Sequence, residues 1–279
     1  MAKRRVVITG LGVISPVEND VESFWQALLA GKSGIGPITT FDSSAFDSQI
    51  AGEVKGFDPL KYMDPKEAKR MEKFAQFAVA ASKQAVSDAQ LDLSRENTER
   101  IGVLIGCGIG SLRIVEQEYK TYLEKGPSRI TPFMVPLMIV NEAAGQVSIL
   151  LGLKGPNSCV TTACASGSNA IGDAFRMIQY GDADIMLAGG TESSITHLGV
   201  GGFCSLKALS RKNDTPEKAS RPFDKLRDGF VIGEGAGVVI LEELKHALKR
   251  NAKIYAEMAG YGMSADAYHM TAPDPSGSG

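Results

Sequence analysis

"NSCVTTACASGSNAIGDAFRMIQYGDADIMLAGG", residues 157–190, decides the fold. It opens on a short β-branched run, crosses a cluster of small residues around Cys164, and continues as a helical pattern from Ala165 to Tyr180. It closes on the apolar run "ADIMLAGG". Strand, helix and strand in that order, punctuated by Gly181-Asp182, make a βαβ unit. Outward from it lie further strand-like runs: "RRVVITGLGVIS" near the start, "RIGVLIGCG" from Arg100, "GAGVVILEEL" from Gly235 and "KIYAEMAGYGMS" from Lys253. They are short, rich in Val and Ile, and continuously apolar, the pattern of strands covered on both faces. Helical patterns at 20–29, 66–88 and 242–250 fall between them, so the chain reads as α/β with a largely buried sheet. No internal repeat is present, and "RKNDTPEKASRPFD" reads as loop.

The composition bounds the function. A chain of 279 residues, 43% hydrophobic and 22% charged, buries one large core or two smaller ones. With 30 Lys+Arg against 32 Asp+Glu and no block of one sign, neither a nucleic acid nor a membrane surface is an expected partner. The opening "MAKRRVVITGLGVIS" has the basic start of a signal, but glycines interrupt its apolar run and Pro16 ends it, so it reads as a buried first strand. No segment approaches the roughly 18 apolar residues of a membrane span. Cys107, Cys159, Cys164 and Cys204 show no C-x-x-C spacing, so reduced thiols and a cytoplasmic location are expected, with no metal site.

Several motifs invite chemical readings. "GLGVIS", residues 10–15, approximates a dinucleotide fingerprint, but Pro16 to Asp20 intervene before helical periodicity starts, which favours a glycine-rich turn after a strand. "GCGIGS", residues 106–111, lets the backbone pass close to a ligand or to another chain. Cys164 stands between Thr161-Thr162 and a helix start, among Ala163, Ala165, Ser166, Gly167 and Ser168. Small neighbours permit a tight elbow, and helix-start N–H groups favour a thiolate. A small buried thiol fits the same local sequence, because free Cys is among the most buried residue types. Of the three histidines, His246 reads as solvated or capping and His197 as a loop or helix-start residue. His269, in a polar loop after a strand, is the one expected near an active site. Lys66, Lys69, Arg70 and Lys73 recur at helical spacing and predict one basic face.

Five stretches together carry a resemblance: "VTTACASGSNAIGDA", "YGDADIMLAGGTES", "LGVGGFCSLKALSRKND", "SRPFDKLRDGFVIGEGAGVVILEEL" and "YGMSADAYHMTAPDP". From Arg4 to Pro275 the chain resembles the elongating β-ketoacyl-acyl-carrier-protein synthases, the type II ketosynthases of the thiolase superfamily. The resemblance implies a thiolase-like five-layer αβαβα fold, with residues 1–250 as the first half and 251–279 as the start of the second. It implies a homodimer, and an acyl carrier protein as partner that brings phosphopantetheine with it, so that no resident cofactor is needed. It makes Cys164 the acyl-accepting nucleophile of a decarboxylative Claisen condensation. Ile109, Phe133, Phe203 and Phe230 fall at substrate-pocket positions, with His269 beside them. Lys66, Lys69, Arg70, Arg129, Lys207 and Arg211 fall where the family meets its acidic carrier protein.

The departure from the family is equally specific. Its members are longer, and two histidines, a lysine and a Gly/Phe-rich loop of their second half have no counterpart in these residues. The sequence therefore predicts a cysteine-bearing portion that is inactive in condensation by itself and associates readily through exposed apolar surface. An incomplete carrier-protein-binding or heterodimer partner, and a thiolase-like acyltransferase, are the alternatives.

Overall fold

Val6–Ile14 forms the strand around which the molecule is organised, and it is flanked by antiparallel partners on both sides. The computed structural model describes residues 3–269 and 271–279. In chain order its helices and strands are β1 (Val6–Ile14), α1 (Val21–Leu29), β2 (Gly36–Pro37), β3 (Ile50–Ala51), α2 (Pro65–Ala68), α3 (Lys73–Asp88), β4 (Ile101–Gly106), α4 (Leu112–Lys125), α5 (Met134–Met138), α6 (Glu142–Leu151), β5 (Asn157–Ser158), α7 (Ser166–Tyr180), β6 (Ile185–Glu192), α8 (His197–Ser205), β7 (Gly235–Glu243), α9 (Leu244–Lys249) and β8 (Ala256–Glu257). The main sheet runs β5-β4-β6-β7-β1-β8. Its β5, β4 and β6 are parallel, while β7, β1 and β8 are added antiparallel. β2 and β3 form a separate small ribbon.

Alternation along the strands sorts the core into two layers, as the period of two requires. Ile101, Val103 and Ile105 of β4, with Ile185 and Leu187 of β6 and Val238 and Ile240 of β7, join the layer under α3 and α6. Leu104, Met186, Ala188 and Leu241 face the other way, against Ala170, Ala174, Phe175 and Ile178 of α7. The result is helix, sheet, helix. Full burial of each Ile or Leu contributes about 1.5–3 kcal/mol, which explains strands that are apolar on both faces.

The glycines of "GLG" are not in a turn. They lie inside β1, where a Cβ on Gly10 would stand 2.3 Å from the Ala85 carbonyl oxygen and one on Gly12 would stand 1.9 Å from that of Ala81. Their absence of side chain seats α3, whose inner face of Ala78, Ala81 and Ala85 is correspondingly small.

Two helical expectations are corrected. The pattern over 66–88 is broken: α2 ends at Ala68 after a capping box between Asp64 and Glu67, and α3 starts only at Lys73. Lys66, Lys69, Arg70 and Lys73 therefore do not form one helical face. The pattern over 242–250 is a helix only from Leu244, because Glu242 and Glu243 complete β7. Glu242 pairs across the sheet with Val7 and Ile185, and its buried carboxylate accepts hydrogen bonds from Thr9 Oγ1 at 2.8 Å and from Arg250 at 2.7 Å twice.

His246 is neither freely solvated nor a cap. Its ring nitrogens contact Glu242 at 2.6 Å and Glu96 at 3.0 Å. Burial disfavours the imidazolium, but the hydrogen bond and charge of Glu242, joined by Glu96, outweigh it and hold His246 above its ordinary value. The folded chain thus binds this proton more tightly than the unfolded chain does. That stabilisation is complete below the ordinary value of 6.5 and is lost as pH rises through the folded value. The melting temperature is expected to fall across that window, and His246→Gln is expected to flatten the slope. Parallel pH profiles for the two proteins would refute the assignment.

After α9 the chain returns along β1 as β8 and then crosses α7. The Tyr261 ring covers Gly172, where a Cβ would meet it at 2.2 Å, and Arg176 donates to the Tyr261 carbonyl at 3.0 Å.

Candidate active site

β5 is shorter than its sequence suggests, because after one further backbone bond, from Cys107 N–H to the Val160 carbonyl at 3.1 Å, the chain leaves the sheet to make a turn. Within it Ala163 adopts φ +50, a left-handed conformation unusual for a residue with a Cβ. Ser166 holds the turn closed: its hydroxyl donates to the Ala163 carbonyl at 2.6 Å and accepts from the Thr162 N–H at 2.9 Å. Strain sustained by surrounding bonds is the signature of an elbow that projects one side chain. The projected side chain is Cys164, which is exposed. Within these residues the thiol is not packed into the core.

The helix behind it is seated by glycines. A Cβ on Gly106 would lie 2.2 Å from the Ser166 carbonyl oxygen, and Gly167 and Gly190 approach each other so closely that a Cβ on Gly190 would stand 3.0 Å from the Gly167 Cα. The first turn of α7 thus rests directly on the ends of β4 and β6. Its cap residue, Ala165, makes no side-chain hydrogen bond and its first turn holds no acidic residue, so among the described residues the positive end of this 15-residue helix is uncapped.

Two thiols elsewhere in the chain are held back by burial. Burial, reinforced by the charge of Glu192, pushes the Cys107 thiol up to about 12, which leaves about one in ten thousand ionised at pH 8. Burial also raises Cys159.

The remaining expected site residues lie on several elements of the fold. Ile109 is 37% exposed on the turn after β4, and its N–H and that of Gly108 both donate to Glu192 Oε2 at 3.0 Å. Phe203 of α8 packs edge-to-face on the exposed Phe230, with ring centroids 5.3 Å apart. Phe133, also exposed, lies under the Arg70 guanidinium at 5.6 Å. Lys66, Lys69, Arg129 and Lys207 are exposed; Arg211 is exposed and paired with Asp47 at 2.7 Å. Lys73 turns instead to the buried Glu234, at 3.4 Å.

None of the three histidines hydrogen-bonds Cys164. His197 begins α8 and lies against Phe41 with ring centroids 4.3 Å apart, and His246 belongs to the Glu242 cluster. His269 is exposed, and its Nδ1 accepts the backbone N–H groups of Thr271 and Ala272 at 3.1 Å. A cavity of about 640 Å³ opens elsewhere, among Glu72, Lys73, Arg113, His197 and Glu234, and none of the expected site residues lines it.

The β-ketoacyl synthase N-terminal domain family matches residues 3–247. The chain belongs to that family. It is 57% identical over its whole length to 3-oxoacyl-[acyl-carrier-protein] synthase 2 of Synechocystis sp. and 56% identical to the protein of that name from Coxiella burnetii, spanning 67% of each. Among solved structures, a β-ketoacyl synthase from Burkholderia phymatum matches with a TM-score of 0.88 at 36% identity, covering 98% of this chain and 67% of that one. The ketosynthase complex AntDE:AntF, in which a type II acyl-carrier protein is bound to its ketosynthase, matches with a TM-score of 0.85 at 37% identity, over 96% of this chain and 65% of that one. The α/β fold is thus that of the thiolase-like ketosynthases, and the helix–sheet–helix layers match part of it. Among the described residues no helix is long and apolar enough to cross a membrane.

The sequence names Thr161 and Ser166 only as neighbours of Cys164, not as hydrogen-bonding groups, and does not single out Glu192, whose one signal is its place at the end of a strand.

Proposed function

We propose that this chain carries the acyl-accepting step of a 3-oxoacyl-carrier-protein synthase, with Cys164 as nucleophile. The observation that carries the reading is an exposed thiol on a strained turn at the uncapped N-terminus of α7. The Cys164 thiolate attacks the carbonyl carbon of an acyl-phosphopantetheine thioester presented by a carrier protein. A new C–S bond forms, the bond to phosphopantetheine breaks, and the released thiolate takes up a proton. The Cys164 N–H supplies one donor to the oxyanion, where a preorganised dipole counts most because charge develops there in the transition state. The acylated cysteine then awaits the enolate formed by decarboxylation of malonyl carrier protein, whose attack yields the 3-ketoacyl product.

Ile109, Phe133, Phe203 and Phe230 offer apolar surface to the acyl chain. The exposed cations Lys66, Lys69, Arg70, Arg129, Lys207 and Arg211 offer charge to an acidic carrier, as separate points on several loops rather than as one helix face. Decarboxylation is assigned to groups outside these 279 residues, since the ring hydrogen bonds of His246 and His269 go to Glu242, Glu96 and the backbone of Thr271 and Ala272, His197 lies against Phe41, and none goes to Cys164. In that division residues 1–250 are the nucleophile-bearing half of a cytoplasmic homodimeric enzyme, and 251–279 lead into the half that completes the site.

Incubation with an acyl-carrier-protein thioester is expected to add one acyl mass, mapped by proteolysis to the peptide holding Cys164. Addition of malonyl carrier protein to the 279-residue chain alone is expected to yield no 3-ketoacyl product. Acylation at another residue, or at none, would overturn the nucleophile assignment, and a condensation product would overturn the division of labour.

A further inference from the structure

Glu192 ends β6 with its carboxylate turned into the Gly106–Ser111 segment rather than to solvent cations. One oxygen accepts the successive N–H groups of Gly108 and Ile109, each at 3.0 Å, and the other accepts from Ser194 Oγ at 3.0 Å. Two adjacent N–H groups converging on one anion form a nest, a strong geometry because each hydrogen bond is charge-assisted. A second clamp holds the same turn from the opposite side, where Thr161 Oγ1 donates to the Cys107 carbonyl at 3.0 Å. Thr161 lies on the loop that carries the nucleophile, and a Cβ on Gly108 would stand 3.1 Å from Glu192 Oε2 and 3.7 Å from the Ala163 carbonyl oxygen. The turn bearing Ile109 is therefore pinned between the Glu192 carboxylate and the backbone that precedes Cys164.

We infer that Glu192 is a positioning residue for the acyl group: it fixes the Ile109 side chain relative to Cys164 and so sets how well a long apolar chain is accommodated beside the thiol. The inference rests on the reading of Cys164 as the acyl acceptor, but its geometry does not need the carrier protein. Glu192 makes no hydrogen bond to Cys164; the thiol it meets is that of Cys107, whose Sγ donates to Oε1 at 3.8 Å. Removal of Glu192 releases two backbone donors and lets the turn relax, while the elbow keeps its own bonds through Ser166. A loosened pocket wall penalises a long substituent far more than a small one, because only the long one depends on the wall for its path.

The test uses two alkylating reagents that need only the thiol, iodoacetamide and its N-dodecyl derivative, with labelling of Cys164 quantified by peptide mapping. Glu192→Ala is expected to lower the ratio of dodecyl to parent labelling about tenfold, with iodoacetamide labelling itself retained. Glu192→Gln is expected to restore the ratio, because its amide oxygen accepts the same two N–H groups. An unchanged ratio in Glu192→Ala, or equal loss of both labels, would overturn the inference. Wild-type protein that shows the labelling ratio but accepts no acyl group from carrier protein would instead overturn the function proposed above. Hydrogen exchange gives an independent check on the same variants. Faster exchange at Gly108 and Ile109 in Glu192→Ala supports the nest, and unchanged exchange there overturns it.

Discussion

Arg250→Ala is expected to destabilise the chain by about 3–5 kcal/mol, the cost of leaving a buried charge without its partner. Glu242 has no solvent exposure, and two of the bonds that satisfy its carboxylate come from the Arg250 guanidinium, at 2.7 Å each. Arg250 also donates to the Ala89 carbonyl at 2.8 Å, which closes the end of α3. Burial pushes the Glu242 carboxyl up, but the hydrogen bonds from Arg250, His246 and Thr9 outweigh it and hold it below its usual value. Without Arg250 the carboxylate retains only Thr9 and His246. A drop in melting temperature of roughly 10 °C should follow by circular dichroism. The loss should be smaller below pH 6.5, where a protonated His246 supplies part of the missing charge, and a second change, Glu242→Gln, should recover much of it. A variant that melts within a degree of the parent would show that the cluster is solvated in solution.

Gly106→Ala is expected to slow acylation of Cys164 about 100-fold, the scale associated with misplacing a reacting group by about an ångström. The added methyl would stand 2.2 Å from the Ser166 oxygen, 2.3 Å from its carbonyl carbon and 2.7 Å from Gly167 N, all backbone atoms that no side-chain rotation can clear. The first turn of α7 must lift from β4, and the Cys164 elbow moves with it through Ser166. Overpacking of this kind also costs about 1–3 kcal/mol of stability. Gly145→Ala in α6 is the matched control: nothing lies within 4 Å of its Cβ position, so helix propensity alone applies and a gain of up to about 1 kcal/mol is expected. Acylation of Gly106→Ala at the parental rate would show that the seat is not what places the thiol.

The sequence by itself determined the alternation of strands and helices, the buried sheet, the family and the candidate nucleophile. The alternation and the buried sheet follow from local information, runs of Val and Ile and a helical period after Cys164; the family, and Cys164 as its candidate nucleophile, come from the five stretches that resemble it, since the local sequence fits a buried thiol equally. The same information misjudged features that depend on distant partners. The basic face over 66–73 has the right spacing, yet Asp64 and Glu67 close a short helix there and the chain turns before α3. The glycines at 10 and 12 resemble a nucleotide turn, but their use is to admit the backbone of α3, which no local window contains. Glu242 looks like the first residue of a helix until its partners across the sheet are known. The pocket turn is the clearest case, since Glu192 meets Gly108 from 84 residues away. Hydrophobic period and turn chemistry are written in neighbouring residues and can be read there. Which carboxylate meets which pair of N–H groups is settled only when packing brings two strand ends together, and that decision belonged to the tertiary structure.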